Sequence, residues 1–284
     1  MTLTGKPRLE LSITRHVGDE AVCSPSLFEF FREVVRTACG ERRNVRPTHP
    51  GFMAQVGLNT GARHARVIGF AKSYTKSLDG DTRVAHDSDI IGALGISYSL
   101  LCAKVPQSIT QHVENKLAEQ GMPRLATRDV DPGNGFSLQF DGVTYAFTNQ
   151  PRSPPESYAT QGYVAWTHKD PAYCDWAFSY CVGRTVAPDA VADGGANFVE
   201  VGLKILVKQA CAIVMAFCPE YMHGTTEAIG AFNLAFTFAF SRRIETFWNN
   251  LSEELKNSIR SANGAGEGNP DQNLESIDES GIDG

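Results

Sequence analysis

The spacing of apolar residues along the chain changes near residue 133. Before that point, apolar residues recur at helical intervals, and after it they alternate in short runs separated by Gly, Pro and Asp. The pattern predicts a helical N-terminal part over residues 1–132 and a β-rich part over residues 133–245. The three segments with helical spacing are SLFEFFREVVRTACG, DIIGALGISYSLLCAKV and SITQHVENKLAEQG.

The sequence also predicts where two of these helices begin and end. A capping box, in which a serine is followed three residues later by Glu or Gln, is typical of a helix start, and glycine is typical of a helix end. Ser26 with Glu29 and Gly40 bound the first helix in this way. The third helix has Ser108 with Gln111 at its start and Gly121 at its end, whereas the second is expected to end before Pro106.

The second half of the chain predicts a series of short strands. FSLQFDGVTYAF is two alternating runs around Asp141-Gly142, which is a strong hairpin signal. The following runs are YVAWTH, WAFSYCV, FVEVGLKILV, CAIVMAFC and FNLAFTFAF. An amphipathic closing helix is predicted over residues 244–260, and the apolar-poor stretch 261–284 is predicted to be a disordered acidic tail.

The last predicted strand separates large from small side chains. Phe232, Leu234, Phe236, Phe238 and Phe240 alternate with Asn233, Ala235, Thr237, Ala239 and Ser241. One face therefore fills a core with large rings, and the other is small and mildly polar. The small face suits the wall of a cavity, although a closely packed second sheet would explain it equally well.

Composition and charge narrow the class of protein. The chain has 284 residues, 42% hydrophobic and 20% charged, as expected for a globular domain, and no apolar run is long enough to span a bilayer. Its net charge of −6 resides in residues 251–284, which carry eight acidic and two basic residues, so the body is neutral. Seven cysteines without a CxxC pair argue against a disulfide framework. We expect an intracellular protein, nuclear or cytoplasmic, with no membrane partner and no obligate protein partner.

The motif YVAWTHKD carries the clearest chemistry in the chain. His168 and Asp170 are two residues apart, so in a strand both side chains leave the same face. An imidazole and a carboxylate on one face are a candidate pair of metal ligands. The structural alternative is a charged strand end with a histidine satisfied in the core. HDSD at residues 86–89 is a weaker competitor because its spacing suits the start of a helix.

A third candidate ligand follows an apolar strand near the end of the β-rich part. In GGANFVEVGLKILVKQACAIVMAFCPEYMHGT, His223 is followed by Gly224 and lies 55 residues after His168. Together with the HKD pair, this arrangement resembles the Fe(II)/2-oxoglutarate-dependent dioxygenase superfamily over residues 134–245. The layout of helical N-terminal part, PRSPPESY, HKD and HGT is similar to the fungal TET/JBP-like branch, which oxidises methyl groups on nucleobases.

The resemblance implies a fold, a set of cofactors and an activity. The fold would be α+β: a double-stranded β-helix (jelly roll) core with buttressing N-terminal helices and a C-terminal helix, forming a single oxygenase domain over residues 1–260. His168, Asp170 and His223 would hold Fe(II), with 2-oxoglutarate as cosubstrate and O₂ as oxidant. The reaction would be oxidation of an unactivated C–H group, such as the methyl of a modified nucleobase in DNA. A small-molecule oxygenase, or an inactive jelly-roll binding module, remains the alternative.

One feature of the superfamily is missing from the sequence. Most members carry an arginine on the last barrel strand that binds the distal carboxylate of 2-oxoglutarate, and Asn233 occupies the matching position here. Arg242 at the strand's end, or Arg184 on another strand, would replace it, or the cosubstrate is a different molecule. Candidate substrate-binding residues are Trp166, on the face of His168, and the hydroxyls of Thr225 and Thr237, each with core packing as its alternative.

Overall fold

The computed structural model describes a mixture of helices and antiparallel sheets, as the α+β prediction required. Its described residues are 9–19, 24–60, 69–71, 80–125, 135–140 and 142–265. The helices are α1 (Ser24–Glu41), α2 (Gly80–Lys104), α3 (Gln107–Glu119), α4 (Arg242–Asn249) and α5 (Glu253–Ala265). The strands are β1 (Leu11–Thr14), β2 (Phe52–Asn59), β3 (Gly69–Phe70), β4 (Gly135–Phe140), β5 (Val143–Thr148), β6 (Glu156–Gln161), β7 (Ala177–Val186), β8 (Phe198–Glu200), β9 (Ile205–Val207), β10 (Ile213–Phe217), β11 (His223–Thr225) and β12 (Ala231–Phe238).

The largest sheet has seven strands in the order β1-β10-β7-β12-β6-β2-β3. Its pairings are antiparallel, and β12 lies between β6 and β7, so that Thr237 is opposite Tyr158 on one side and Ser179 on the other. The large residues of β12 and β7 therefore lie side by side, as Phe236 with Tyr180 and Phe238 with Phe178. In β6 the order is reversed, because Tyr158 lies opposite Thr237 and Ala159 lies opposite Phe236. One face of the sheet is rich in rings and the other in small or polar side chains.

The ring-bearing face packs against the N-terminal helices. Phe31 of α1 contacts Tyr180 and Phe236 edge-on, with ring centroids 6.2 and 6.0 Å apart. Tyr98 of α2 contacts Phe178 and Phe238, at 6.5 and 5.5 Å. All of these side chains are fully buried. Because full burial of one such ring contributes about 1.5–3 kcal/mol, this interface anchors the sheet to the helices.

A second, smaller sheet has the order β11-β8-β9. An extended segment, residues 162–170, lies beside β11 through an isolated antiparallel bridge between His168 and His223. The hairpin β4-β5 forms a separate two-stranded sheet, which confirms the prediction for this stretch, with Asp141 outside the described residues. Gly92 and Gly95 of α2 lie against Leu138 and Phe136 of that hairpin.

Several predicted elements are wrong in their extent. YVAWTH is extended but forms only the one bridge, and FVEVGLKILV is two strands, β8 and β9, joined by a turn in which Lys204 has a φ of 57°. The closing helix 244–260 is broken into α4 and α5 around Leu251. Residues 261–265, predicted to be disordered, continue α5, and the rest of the predicted tail lies outside the described residues.

The predicted capping boxes are also wrong. α1 begins at Ser24, two residues before the predicted cap, and the Glu29 carboxylate binds Arg32 and Arg36. α3 begins after Pro106, and no side chain caps its first turn. Ion pairs along the helix surface compete with capping for the Glu29 carboxylate, and in α3 the proline takes the capping position instead.

The N-terminal part is less purely helical than predicted. Its three helices are confirmed, but β1 pairs with β10 and β2 pairs with β6, so residues before 133 supply both flanks of the main sheet. Among the described helices, none is long and apolar enough to cross a membrane. The described cysteines are all free: Cys39, Cys102, Cys174, Cys181, Cys211 and Cys218.

Candidate metal centre

The extended segment 162–170 and strand β11 bring the three predicted ligands together. The His168 N–H donates to the His223 carbonyl at 2.8 Å, and the His223 N–H donates to the His168 carbonyl at 2.9 Å. The Asp170 N–H donates to the Pro219 carbonyl at 2.8 Å, which fixes the end of the same segment. A narrow antiparallel bridge therefore places the two imidazoles side by side, and the two-residue spacing adds the carboxylate.

Close packing of the backbones explains why His223 is followed by glycine. A Cβ at this position would lie 3.0 Å from the Thr167 Cα and 3.1 Å from the Ala165 carbonyl oxygen. Any side chain would push β11 away from the extended segment. The close approach is completed by the Thr225 N–H, which donates to the Ala165 carbonyl at 2.9 Å, while the Thr225 hydroxyl accepts from the Ala165 N–H at 3.0 Å.

Both imidazoles are held in the orientation that a metal ligand requires. His168 Nδ1 lies 2.6 Å from the Trp166 carbonyl oxygen, and His223 Nδ1 lies 2.8 Å from the Tyr221 carbonyl oxygen. Because a carbonyl can only accept, each Nδ1 carries the proton and each Nε2 presents its lone pair. Backbone carbonyls of this kind are the usual partners that orient metal-binding histidines.

The three ligand atoms converge on one point. Asp170 Oδ2 lies 3.4 Å from His168 Nε2 and 3.7 Å from His223 Nε2, and the three atoms are all within 4.8 Å of one another. Ligand atoms bound at about 2.1 Å and at right angles are separated by about 3.0 Å. Small rotations of the side chains would therefore close the three residues around a single ion, so they fit a divalent metal.

The protonation equilibria of the three side chains also suit a cation. The hydrogen bond with Asp170 raises the pKa of His168, whereas burial lowers the pKa of His223. Burial acts to raise the pKa of Asp170, but the hydrogen bond and charge of His168 and the charge of His223 bring it below its ordinary value. The carboxylate is thus ionised and His223 is neutral, the forms in which both bind metals.

Two cavities meet at this centre. The inner cavity, of about 140 Å³, is lined by all three candidate ligands and by Thr225, Asn233 and Thr237, together with apolar side chains such as Phe198, Met215 and Phe217. The outer cleft, of about 570 Å³, reaches His168 and Asp170 from the other side and is lined by Arg46, Tyr158, Tyr163 and Arg242, among others. The small residues of β12 and its extension line both, so this face does form a cavity wall. Phe232, on the ring-bearing face, is exposed at the strand's end.

A buried polar atom in the inner cavity has no partner. Gln209 lines this cavity, and its Oε1 makes no hydrogen bond within the described part of the chain. Its Nε2 contacts only the Met215 sulfur, at 3.5 Å. An unsatisfied amide group in a buried cavity is costly unless a ligand or water completes it. The inner cavity is therefore built for polar content.

The three candidates for cosubstrate binding occupy two different places. Arg184 donates to Asn233 Oδ1 at 2.8 Å and to the Asp193 and Gly195 carbonyls at 2.6 and 2.9 Å. The Asn233 amide donates to the Ala196 carbonyl at 2.9 Å, at one end of the inner cavity.

Arg242 lies instead at the outer cleft. Its guanidinium donates to the Ala172 carbonyl at 3.0 Å and to Glu220 at 2.7 Å, and 60% of its side chain is exposed. The structure does not bring Arg242 to the inner cavity.

Of the predicted substrate-binding residues, Thr225 and Thr237 line the inner cavity, but Trp166 lines neither cavity. Trp166 is 59% exposed, and its ring lies 4.8 Å from that of His49. His49 in turn stacks on Tyr163 at 5.7 Å and hydrogen-bonds its hydroxyl at 2.9 Å. The aromatic cluster of His49, Tyr163 and Trp166 lies next to the metal centre, since Trp166 precedes His168 by two residues.

Sequence analysis did not single out His49, Tyr163 or the individual position of Arg46. His49 and Arg46 lie in the connection between α1 and β2, more than 100 residues before the HKD motif. Arg42 and Arg43 precede Arg46 closely, and no pattern in the sequence separates Arg46 from them.

Comparisons with known proteins give slight structural likenesses. No protein-family model matches the chain, and no curated protein matches it. Among solved structures, NgTET1 in complex with 5mC DNA has a TM-score of 0.47 at 12% identity, covering 84% of this chain and 74% of that chain. A Pseudomonas putida prolyl-4-hydroxylase has 0.37 at 10%, with 82% and 93% covered. HygX from Streptomyces hygroscopicus with nickel, 2-oxoglutarate and hygromycin B has 0.33 at 11%, with 82% of each covered.

The TM-scores, below 0.5 in each case, indicate only partial overlap of the backbones.

Proposed function

We propose that the protein is an Fe(II)/2-oxoglutarate-dependent dioxygenase in which His168, Asp170 and His223 hold the iron. The observation that carries this proposal is the convergence of two Nε2 atoms, each with its Nδ1 bonded to a backbone carbonyl, on one carboxylate oxygen. Two imidazoles and one carboxylate on one side of an ion, with the other positions open, are typical of non-haem Fe(II) oxygenases. Zinc hydrolases also use two histidines and one carboxylate as ligands, so binding of 2-oxoglutarate is what would distinguish an oxygenase from a hydrolase.

The order of the strands supports a double-stranded β-helix as the scaffold. Along the chain, β6 lies in the main sheet, segment 162–170 in the small one, β7 in the main one, β8 and β9 in the small one, β10 in the main one, β11 in the small one and β12 in the main one. The chain thus alternates between two facing antiparallel sheets, which is the topology of a jelly roll. The metal centre lies between the sheets, at the ends of the strands that carry it.

The inner cavity is the proposed site for 2-oxoglutarate. Asn233 and Gln209 would offer amide groups to it, and Arg184 would add positive charge behind Asn233. The Arg184 guanidinium is held by two backbone carbonyls. This pair would replace the arginine that the superfamily usually carries at the position of Asn233.

Iron and 2-oxoglutarate, when bound, would activate O₂ for the oxidation of an unactivated C–H bond. The chain's own residues orient the ligands and exclude water. The carbonyls of Trp166 and Tyr221 fix both imidazoles, and Phe198 and Phe217 pack against His223 with ring centroids 6.0 and 4.9 Å away. A dry pocket limits side reactions of the oxidant with solvent.

The outer cleft is the proposed substrate site, and a methylated nucleobase is the proposed substrate. The cleft opens beside the aromatic cluster of His49, Tyr163 and Trp166, and exposed aromatic rings stack on planar bases. A small-molecule substrate is the second candidate, favoured by the neutral charge of residues 1–250. Either substrate would place a C–H group near the metal centre, so measured affinities of the protein for the two kinds of substrate have to distinguish them.

An anaerobic titration with Fe(II), followed by 2-oxoglutarate, tests the proposed activity. We expect one iron per chain and a change in the visible absorption of the bound iron when 2-oxoglutarate is added. Aerobic incubation with iron, ascorbate and substrate should then convert 2-oxoglutarate to succinate. Iron binding without any spectral response to 2-oxoglutarate would instead indicate another cosubstrate or an inactive binding module.

Binding of labelled oligonucleotides separates the two substrate classes. A nucleobase substrate within DNA should give an affinity that falls steeply as salt rises, because phosphate contacts release counterions. Trp166→Ala should weaken that binding without changing iron stoichiometry, since the side chain is exposed. Absence of oligonucleotide binding at low salt would favour the small-molecule substrate.

A further inference from the structure

The connection between α1 and β2 is a rigid loop that reaches the metal centre from outside the β-rich part. Asn44 organises it: its side-chain oxygen accepts from the N–H groups of Arg46 and Met53, at 3.0 and 3.3 Å, and its amide donates to the Gly51 carbonyl at 3.2 Å. The His49 N–H donates to the Arg46 carbonyl at 3.1 Å. The backbone that presents Arg46 is therefore fixed before any ligand binds.

The same loop is docked onto the segment that carries the metal ligands. The Val164 N–H donates to the Pro50 carbonyl at 3.1 Å, and His49 Nδ1 lies 2.9 Å from the Tyr163 hydroxyl. Gly51, at a φ of +76°, approaches so closely that a Cβ would lie 2.1 Å from the Gly162 carbonyl oxygen. Loop and segment thus form one unit, which holds the backbone of Arg46 beside the segment that carries His168 and Asp170.

Arg46 is the uncommitted cation of the outer cleft. Its guanidinium lines the cleft and makes no hydrogen bond or ion pair with the described residues. By contrast, Arg242 is bonded to Glu220 and the Ala172 carbonyl.

The exposed Arg46 guanidinium adds positive charge to the cleft, and no carboxylate among the described residues forms an ion pair with it. Asp170 is shared between the two imidazoles, and Glu156 on the cleft wall already accepts from the Tyr158 hydroxyl and the Ser241 N–H. A divalent ion at the centre would add further positive charge to the cleft. An anion placed against Arg46 would offset this repulsion, and the planar fork of arginine suits a carboxylate or phosphate.

We propose that Arg46 is a specificity-determining residue that binds an oxyanion group, a carboxylate or a phosphate, of the substrate in the outer cleft. The inference rests on the proposed function, because it takes the outer cleft as the substrate site. It adds that the substrate is anionic near its reacting group, and that a residue of the N-terminal loop, outside the strands, selects it.

Calorimetric titration of the full-length, iron-loaded protein under anaerobic conditions, with saturating 2-oxoglutarate, tests this inference. The probes are inorganic phosphate, acetate, a deoxymononucleotide and a short single-stranded oligonucleotide. We expect Arg46→Gln to weaken binding of the anions at least tenfold, and Arg46→Lys to weaken it less because the charge is kept. Arg43→Gln is the matched control, since Arg43 is exposed and does not line the cleft, and it should bind like wild type.

The source of the oxyanion follows from the same titrations. Equal affinity for the mononucleotide and the oligonucleotide would support a small anionic substrate. An affinity that grows with the length of the oligonucleotide and falls with salt would support a nucleic-acid phosphate. Both outcomes agree with an oxyanion site at Arg46. Equal binding by wild type and Arg46→Gln, or no binding of any probe by wild type, would overturn the inference. It would also be overturned if Arg46→Gln weakened binding of 2-oxoglutarate itself, because Arg46 would then serve the cosubstrate.

Failure of the proposed function has a different signature. If wild type took up no iron but still bound anions in an Arg46-dependent way, the oxygenase proposal would be wrong while the anion site remained. Conversely, if Arg46→Gln bound one iron and responded to 2-oxoglutarate like wild type, yet retained full anion affinity, only the inference about Arg46 would fail.

Discussion

Two clusters among the described residues place a buried histidine, His223 or His86, beside an aspartate, and they differ in which group lies against the imidazole Nε2 atom. In the first, His168 and His223 direct their Nε2 atoms to the carboxylate of Asp170 at the edge of a cavity. In the second, between α1 and α2, Arg42 Nη1 lies 2.7 Å from His86 Nε2, and Arg42 Nη2 donates to Asp87 at 2.7 Å. We refer to the first, where a metal is proposed to bind, as the metal centre and to the second as the arginine cluster.

The protonated nitrogen is the same in both clusters, so it does not distinguish them. A guanidinium can only donate, so His86 Nε2 must accept and its Nδ1 must carry the proton, as in the metal centre. In the arginine cluster the lone pair is satisfied by Arg42, whose side chain is 2% exposed. In the metal centre no donor meets either lone pair within the described structure. A histidine beside an aspartate is therefore a candidate ligand only when the lone pair of its unprotonated nitrogen faces a cavity and accepts no hydrogen bond from the protein.

The largest expected effect separates the clusters by metal binding. His223→Ala should abolish stoichiometric Fe(II) binding, because one of three ligands is lost from a site that leaves the remaining positions open. His86→Gln should bind one iron like wild type. Anaerobic titration of both variants, with circular dichroism to check folding, measures the difference. Retained iron binding in His223→Ala would show that His223 is not a ligand of the iron.

Loss of the buried guanidinium should destabilise the protein without touching the metal centre. Arg42→Met leaves the Ala71 carbonyl, His86 and Asp87 without their donor. Hydrogen bonds to charged groups are worth about 1.5–3 kcal/mol, so we expect the free energy of unfolding to fall by about 2–3 kcal/mol. Urea unfolding measures the change. An unaltered midpoint would show that the cluster contributes little to stability.

The arginine cluster should also make stability depend on pH. Burial, with the charge of Arg42, lowers the pKa of His86 from 6.5 to about 4. The imidazole is neutral in the folded protein, whereas the unfolded chain gains a proton as pH falls through about 6.5. Stability is therefore present above the unfolded pKa and lost as pH falls toward the folded one, by about 2 kcal/mol between pH 7.5 and pH 5.

Urea unfolding of metal-free protein at both pH values measures this loss. His86→Gln does not titrate at this position, so its loss should be smaller by about the same amount. The histidines of the metal centre titrate in both proteins, and the difference between the two isolates His86. Parallel losses in wild type and variant would contradict the assignment.

The smallest effect concerns the aspartate of the arginine cluster. Asp87→Asn should lower stability by less than about 1 kcal/mol, because a third of the Asp87 side chain is exposed and solvent screens the pair. Its iron binding should not change. Asp170→Asn should show the reverse: weaker iron binding, because a neutral amide does not offset the metal charge, with little change in the stability of the metal-free protein. Equal iron affinities in the two variants would argue against Asp170 as a ligand.

Much of the β-rich part was predictable because its patterns are local. The Asp141-Gly142 dipeptide predicted the β4-β5 hairpin, and the alternation from Phe232 to Ser241 predicted that β12 has one face of large and one of small side chains. That the small face lines a cavity, and not a second closely packed sheet, came from the structure. The extents were harder to predict. The run FVEVGLKILV is continuous in its apolar character, and the turn that splits it depends on the left-handed conformation of Lys204, a residue that rarely marks a turn. The strands β1 and β2 were missed because their partners, β10 and β6, are far away in the chain.

The candidate site was predicted in part, for the same reason. The spacing of His168 and Asp170 and the glycine after His223 are local features, and both have a geometric explanation in the bridge between segment 162–170 and β11. Arg242 was a reasonable expectation from its place at the end of the last strand. Its guanidinium lies outside the inner cavity because Glu220 and the Ala172 carbonyl hold it at the surface.

By itself, the sequence determined the faces: which side chains of β12 are large, and that His168 and Asp170 project together from one edge. Backbone periodicity fixes these directions, and periodicity is a property of neighbouring residues. Only the tertiary structure decided which distant groups meet: that the His223 and His168 backbones form the bridge between β11 and segment 162–170, that Arg42 lies against the Nε2 atom of His86, and that Arg46 comes to the cleft from the N-terminal loop. A side chain's chemistry depends on atoms within a few ångströms, and in a folded chain most of those belong to distant residues.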